Sequence, residues 1–167
     1  MMHEKTNRFI LYTSVATLMQ TVSKWRNRNE TIAFTNGVFD ILHIGHLRSL
    51  EQAAKFADHL IVGVNSDISA KLLGKGPGRP LNSENDRAMM LAGFREVDAV
   101  VLFNEPTPYE LLSVVRPDVL VKGSDYRIDQ IIGREFAGRV ERIELIKDRS
   151  TTDLVDRILA LSGKDDV

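Results

Sequence analysis

The chain has 167 residues, 43% hydrophobic and 27% charged, with 22 basic against 23 acidic side chains and a formal net charge of −1. That length suits one domain with its own core, and the balanced charge gives no general attraction for nucleic acid or an anionic membrane surface, so any grip on negative charge must be local. The lack of cysteine excludes disulfides, thiolate metal sites and cysteine nucleophiles; with no apolar run near the roughly 20 residues that span a bilayer, and no signal-peptide layout at the start, the sequence reads as cytoplasmic.

In chain order, Val15, Leu18, Met19, Val22 and Trp25 recur at helical spacing, so residues 1–30 read as a helical extension packed on a domain of residues 31–163, with a frayed tail at 164–167. Short apolar runs follow at 31–35, 59–64, 99–103, 118–122 and 142–146. They are nearly continuous in Val, Ile, Leu and Phe, the pattern of strands buried on both faces of a parallel sheet. Between them lie amphipathic stretches. Residues 46–57 align Leu47, Leu50, Ala54 and Ala57, and residues 85–95 align Ala88, Leu91 and Ala92, with Arg95 closing the turn. Residues 107–116 open as a capping box, Thr107 to Glu110, with Pro108 as the first helical residue, and stop before Pro117. A last helix begins near Ser150 and turns Leu154, Ile158 and Leu161 inward. Alternating strands and helices give an α/β fold, Rossmann-like, around a mostly parallel five-stranded sheet with helices on both faces.

In such a sheet, ligands bind beyond the carboxyl ends of the strands, near the point where strand order reverses. "TNGVFD", "NSD", "KGSDY" and "KDRSTT" all follow strands. The stretch "FTNGVFDILHIGHLRSLEQA" at 34–53 is a strand, a turn and a helix start. Gly37 lets the backbone approach a ligand, and the helix amino end favours an anion. Neither a GxGxxG fingerprint nor a GxxxxGK[ST] loop is present. His43 and His46 fit three readings: structural histidines, a metal site with Asp40 at the same three-residue spacing, or donors facing a phosphoryl group. "KLLGKGPGRP" at 71–80 is a loop in which Lys75 and Arg79 could close on phosphates. Arg87, early in a helix, opposes the helix dipole and so calls for a phosphate or carboxylate partner, which a salt bridge to Glu84 or Asp86 would also supply. In "KGSDY", Lys122 and Asp125 fall on the crevice side, or Asp125 simply caps a turn. Ser150 and Thr151 open the last helix, as caps or as phosphate ligands.

"HIGH" at 43–46 resembles the HxGH signature of the nucleotidyltransferase superfamily. The longer series "FTNGVFDILHIGHLRSLEQA", "LIVGVNSD", "GRPLNSENDRAMML", "RPDVLVKGSDY" and "RSTTDLVDRI" is similar to the adenylyltransferases of ADP-heptose synthesis over nearly all of residues 14–160. The resemblance implies AMP transfer from ATP, with Mg²⁺, to D-glycero-β-D-manno-heptose 1-phosphate, releasing pyrophosphate. It implies catalytic roles for His43, His46, Lys75 and Arg79. It also implies nucleotide contacts from Thr35, Asn36, Gly37, Val38, Phe39, His46, Lys122, Gly123, Ser150, Thr151 and Thr152, and substrate contacts from Asp40, Asn65, Asp67, Arg87, Asp125 and Tyr126. No protein metal ligand is assigned apart from Asp40 as a candidate. A homo-oligomer, dimer or tetramer, and a separate upstream heptose kinase complete the expectation, with no nucleic-acid or membrane partner. The alternatives are a glycerol-3-phosphate cytidylyltransferase-like enzyme and a non-catalytic nucleotide-binding module.

Overall fold

A computed structural model describes residues 11–12, 14–74, 76, 78–144, 146 and 151–162; Lys75 and Ser150, both expected at the site, lie outside the described residues. The strands are β1 (Leu11–Tyr12), β2 (Ile32–Gly37), β3 (His59–Asn65), β4 (Ala99–Phe103), β5 (Val119–Gly123) and β6 (Arg139–Ile143). All pair in parallel, in the order β1-β4-β3-β2-β5-β6. After β1 at one edge the chain crosses to β2, winds back outward through β3 and β4, then returns to β5 on the other side of β2. The switch point therefore lies between β2 and β5.

The helices are α1 (Val15–Asn27), α2 (Ile44–Ala53), α3 (Asp67–Leu72), α4 (Glu84–Ala92), α5 (Tyr109–Val115) and α6 (Thr151–Ser162). Consecutive residues of a strand point to opposite faces, so continuous apolar runs feed two cores at once. Phe34, Ile61, Val101 and Leu120 meet α1 and α5 through Leu18, Val22, Leu112 and Val115. Ala33, Val62, Val100 and Val121 meet α2 and α4 through Leu50, Ala53, Ala88 and Leu91. Glycine at position 63 follows from this packing: a Cβ there would stand 2.8 Å from the Phe34 ring.

The amino ends of the central strands are closed by aspartates. Asp58, Asp118 and Asp98 accept from the amides of Thr31, Ile32 and Leu60 at 2.8 Å each. With that end sealed by the chain's own carboxylates, the carboxyl end is the one left for ligands.

Five strands stand where expected, with three adjustments at the margins. Residues 11–12 add a short sixth strand beside β4, and α1 packs against the core through Leu18, Val22 and Trp25. β6 starts three residues before the apolar run, at Arg139, because an edge strand keeps one face in solvent and its Arg–Val–Glu–Arg sequence alternates. α3 was not anticipated; Ser66 caps it by accepting from the Ser69 amide at 3.2 Å.

Three helix details also depart from expectation. The capping box at Thr107 is not formed, since Pro108 is the cap residue of α5 and no side chain caps it. That helix is closed at its far end by Arg26, which donates to the carbonyls of Val115 at 2.6 Å and Arg116 at 2.7 Å. α4 ends at Ala92, leaving Arg95 beyond the helix with its side chain 86% exposed. In α6, Ile158 and Leu161 are 58% and 67% exposed, because the helix touches the body of the domain mainly through its first turns.

Candidate active site

The turn after β2 carries the chain over the sheet edge and into α2. Phe39 takes a left-handed backbone, φ 52°, a conformation that a bulky residue adopts only when its surroundings hold it there. Its ring packs at 5.2 Å from the His46 ring. The ring also lies where a Cβ on Gly37 would come to 3.2 Å, which accounts for the glycine.

His43 is the N-cap of α2. Its Nδ1 accepts from the Gly45 amide at 3.1 Å, so in the neutral ring the proton resides on Nε2. Burial lowers its pKa from the usual value, and Asp153 in the first turn of α6 partly opposes that shift. His43 is thus a neutral donor near pH 7. The His46 ring lies against it, centroids 3.9 Å apart and tilted by 31°. The α6 amino end reaches the same corner, where the Thr151 hydroxyl donates to the Ile41 carbonyl at 3.3 Å. Two helix amino ends and two imidazoles therefore meet on one side of the β2 exit, an environment that favours an anion. Thr152 is exposed beside them.

Asp40 and Arg87, expected to touch substrate, are instead built into the frame. Asp40 is 2% exposed; its carboxylate accepts from Arg79 Nε at 2.5 Å and from the amides of Leu81 at 2.7 Å and Asn82 at 3.0 Å. Those contacts engage both of its oxygens, so Asp40 anchors the segment from 79 to 82. Among the described residues, no group of three or more His, Asp or Glu could hold a metal, which sets aside the Asp40, His43 and His46 metal reading. Arg79 is fixed at Nε by this pair, its side chain 14% exposed.

Arg87 is 0% exposed. It donates to the carbonyls of Val38 at 2.5 Å, Asn65 at 2.8 Å and Asn82 at 3.1 Å, and to Asp67 Oδ1 at 2.8 Å. The carboxylate partner that its position demanded exists, but it is Asp67 at the start of α3, not Glu84 or Asp86. One guanidinium joins the exits of β2 and β3 to the start of α4. Asp67 and Asn65 are tied into the same knot, Asn65 donating in addition to the Ser69 hydroxyl at 2.9 Å.

At the switch point lies a cavity of about 320 Å³ that neither histidine lines. Asn36, Gly37 and Val38 form one wall, and Lys122 with Tyr126 forms another. Lys122 Nζ donates to the Asn36 side-chain oxygen and stands 5.7 Å from the centre of the Tyr126 ring. Burial pulls its pKa down to about 8, despite the opposing field of Asp125. Gly123 ends β5 and accepts from the Tyr126 amide at 3.1 Å, so Asp125 lies in an exposed turn. Thr35 lies one residue before this wall, paired with Val62.

Thr107, Pro108 and Gln130 also line the cavity, beside Leu73, Pro106, Ile131 and Ile132, and were not anticipated. The signal was available: "NEPTP" follows β4 just as the chosen segments follow their strands. Gln130 lies in a short 3-10 turn, Ile128–Gln130, with no local sequence signature.

The parallel sheet and the strand-turn-helix at the β2 exit are those of the Rossmann-like nucleotidyltransferase class. Residues 34–157 match the family described as cytidylyltransferase-like, and the chain belongs to that family. It is 49% identical over 138 residues to the bifunctional protein HldE of Syntrophotalea carbinolica, covering 80% of this chain and 28% of that protein. Against the bifunctional protein HldE of Magnetococcus marinus it is 48% identical over 145 residues, covering 84% and 30%. The chain thus spans less than a third of the length of these relatives. Among solved structures, the lipopolysaccharide core biosynthesis protein of Thermoplasma volcanium superposes with a TM-score of 0.59 at 29% identity, over 71% of this chain and 98% of that one. Pantothenate synthetase from Thermus thermophilus (TM-score 0.52, 17% identity, 82% of this chain and 62% of that one) shares the fold. No described helix is long and apolar enough to cross a membrane.

Proposed function

We propose that the chain transfers AMP from ATP to D-glycero-β-D-manno-heptose 1-phosphate, releasing pyrophosphate, as a step in making a heptose precursor for a lipopolysaccharide core. The observation that carries this reading is the pairing of two imidazoles at the α2 amino end with a polar cavity at the same strand exit. In this reading the imidazoles take the triphosphate and the cavity takes the acceptor. The relatives named above and the ordered motifs support the heptose acceptor over glycerol 3-phosphate.

The reaction exchanges one P–O bond for another. An oxygen of the acceptor phosphate forms a bond to the α-phosphorus as the bond to the bridging oxygen of pyrophosphate breaks, and pyrophosphate leaves with the electron pair. A phosphate monoester is already an anion near neutral pH, so no general base is required. The protein must align the reactants and stabilise the charge that grows on the equatorial oxygens. His43 is suited to the second task because its cap bond fixes Nε2–H as a donor that carries no charge to be desolvated. His46, stacked beside it, is the second donor in this reading, with Thr151 and Thr152 at the triphosphate side. Lys75 and Arg79 belong to the basic segment assigned to phosphate contact, and the bond from Arg79 Nε to Asp40 positions that arginine.

Mg²⁺ enters with ATP in this account. The described residues offer no carboxylate cluster for it, which suits an ion held chiefly by phosphate oxygens and water. A homo-oligomer and an upstream kinase activity that supplies the sugar phosphate remain part of the proposal.

The test is pyrophosphate release with ATP, CTP and GTP each crossed with heptose 1-phosphate and glycerol 3-phosphate. ATP with the heptose phosphate should give the highest kcat/KM. A higher value for CTP with glycerol 3-phosphate would move the chain to the cytidylyltransferase reading, and no release with any pair would favour a non-catalytic module.

A further inference from the structure

The switch-point cavity carries a marked asymmetry of charge. Its hydrogen-bonding walls are neutral: Asn36 and Gly37 from β2, Asn65 from β3, Thr107 before α5, and Gln130 from the short 3-10 turn. Lys122 is the single cationic side chain among the lining residues, and it is largely enclosed. Its hydrogen-bond partner is an amide oxygen, not a carboxylate. A buried ammonium normally acquires an ion-pair partner, because leaving it with a neutral one sacrifices hydration without a compensating charge. Asp125, in the exposed turn after β5, supplies only part of that compensation, and an entering anion would supply the rest.

We propose that Lys122 is the acceptor-reading residue: it receives the phosphate of a polyhydroxylated phosphate monoester in this cavity, while Thr107 and Gln130 hydrogen-bond the hydroxyls. This rests on the adenylyltransferase reading above for the identity of the reaction, but it moves Lys122 from the nucleotide side, where its sequence motif put it, to the acceptor side. The placement is consistent with transfer chemistry. From Lys122 the chain of contacts runs through Asn36 to Gly37, whose neighbour Phe39 packs on His46. An anion on Lys122 and a triphosphate at the imidazoles would therefore meet at the β2 exit.

Asn36 suits the exchange. An amide oxygen holds the ammonium yet yields it to a phosphate without leaving an unpaired charge behind. Tyr126, 5.7 Å away, offers its ring face to the same cation. A neutral acceptor of the same shape would have nothing to satisfy Lys122, so unphosphorylated sugars are rejected.

The pH dependence follows from the surroundings. The charged groups beside Lys122 are Asp125, on the turn after its own strand, and Arg142, its exposed register partner on β6, which donates to the Tyr126 carbonyl; Tyr126 faces it from that turn, and the cavity-lining groups of β2, β3 and the α5 entrance are neutral. Burial leaves the free ammonium with a pKa of about 8, and a bound phosphate should raise it. Acceptor affinity should thus fall about tenfold per pH unit above pH 8, until the pKa of the complex is reached.

Two measurements test this independently. In steady-state kinetics with ATP and heptose 1-phosphate, Lys122→Met should raise the acceptor KM about 10- to 100-fold, the range for losing a charge-assisted bond, with the ATP KM within about threefold of wild type. Lys122→Arg should recover part of the loss. A raised ATP KM with an unchanged acceptor KM would overturn the assignment. The second measurement needs no turnover: the Lys122 ammonium is titrated by NMR in ¹³C-lysine-labelled full-length protein, with and without inorganic phosphate. Saturable phosphate should raise its pKa by about a unit or more; an unmoved titration contradicts the inference. If heptose 1-phosphate proves not to be turned over while phosphate still shifts Lys122, the reaction assignment fails and the anion site stands.

Discussion

Replacing Arg87 with alanine should unfold the knot beneath the site before it affects any substrate contact. The side chain is fully buried, and its removal strands the carbonyls of Val38, Asn65 and Asn82 together with the Asp67 carboxylate. Deleting one partner of a buried, hydrogen-bonded charge pair costs about 3–5 kcal/mol. The carbonyls add to that only where water cannot reach them, and Asp67, 35% exposed, keeps some solvation. Domains of this size lose roughly 2–4 °C of melting temperature per kcal/mol, so the midpoint should drop by about 6–20 °C. Arg87→Lys keeps the charge but not the planar fork that serves several acceptors at once, and should fall between the alanine variant and wild type. Thermal and urea unfolding, followed by circular dichroism on the same samples used for kinetics, separate the two roles. An unchanged melting temperature with a selective rise in acceptor KM would refute the reasoning and return Arg87 to the substrate-binding set.

The Asp40 anchor gives a parallel expectation: Asp40→Ala should cost about 1.5–3 kcal/mol and speed hydrogen exchange at the amides of Leu81 and Asn82, whereas equal exchange rates would mean the carboxylate does not restrain that segment. For His43, asparagine can retain the helix cap while removing the imidazole donor, so His43→Asn should lose about 10²–10³-fold in kcat with little change in melting temperature; normal turnover would end the charge-stabilising role. His43 should also titrate below 6.5 in an NMR pH series, since burial depresses it more than Asp153 raises it. His59, at the opposite end of the sheet, should do the reverse. Burial lowers its pKa, but the Asp98 carboxylate 3.5 Å from Nδ1 and the bond to Glu30, at 2.8 Å, outweigh that and leave it raised, with the ring stacked on Trp25 at 4.0 Å. A raised histidine stabilises the fold below its unfolded pKa of about 6.5, and that contribution disappears as pH rises through the folded value. The stability gap between wild type and His59→Gln should therefore be larger at pH 6 than at pH 8.5; equal gaps would contradict it.

What could be read from the sequence follows from how each feature is held. β3, β4 and β5 were legible because burial on two faces demands unbroken apolar runs, and the α1 stripe because one face of a helix meets one core. β6 was misplaced because an edge strand carries a polar face into solvent. Ile158 and Leu161 of α6 have the spacing of a buried stripe, yet spacing does not say whether a surface is there to bury it.

The same divide runs through the site. The HIGH stretch could be located because a glycine turn and a helix start are local events. Asp40 and Arg87 were recognised as unusual, but their partners lie 39–49 residues away for the Arg79 and Val38 bonds, and nothing local to either residue specifies them. Lys122 shows the intermediate case. Its position after a strand put it at the crevice, while its enclosure and neutral partner emerge only when β2 and β5 are side by side.

The most direct measurement follows the phosphorus. Wild-type protein is incubated with Mg²⁺, heptose 1-phosphate and ATP labelled at either the α- or the γ-phosphate, and the products are separated and identified by mass. The account predicts α-label in a nucleotide-linked heptose and γ-label in pyrophosphate. Gamma-label appearing on the sugar, or α-label remaining in free ADP, would mean phosphoryl transfer in place of adenylyl transfer and would contradict the assignment at its centre.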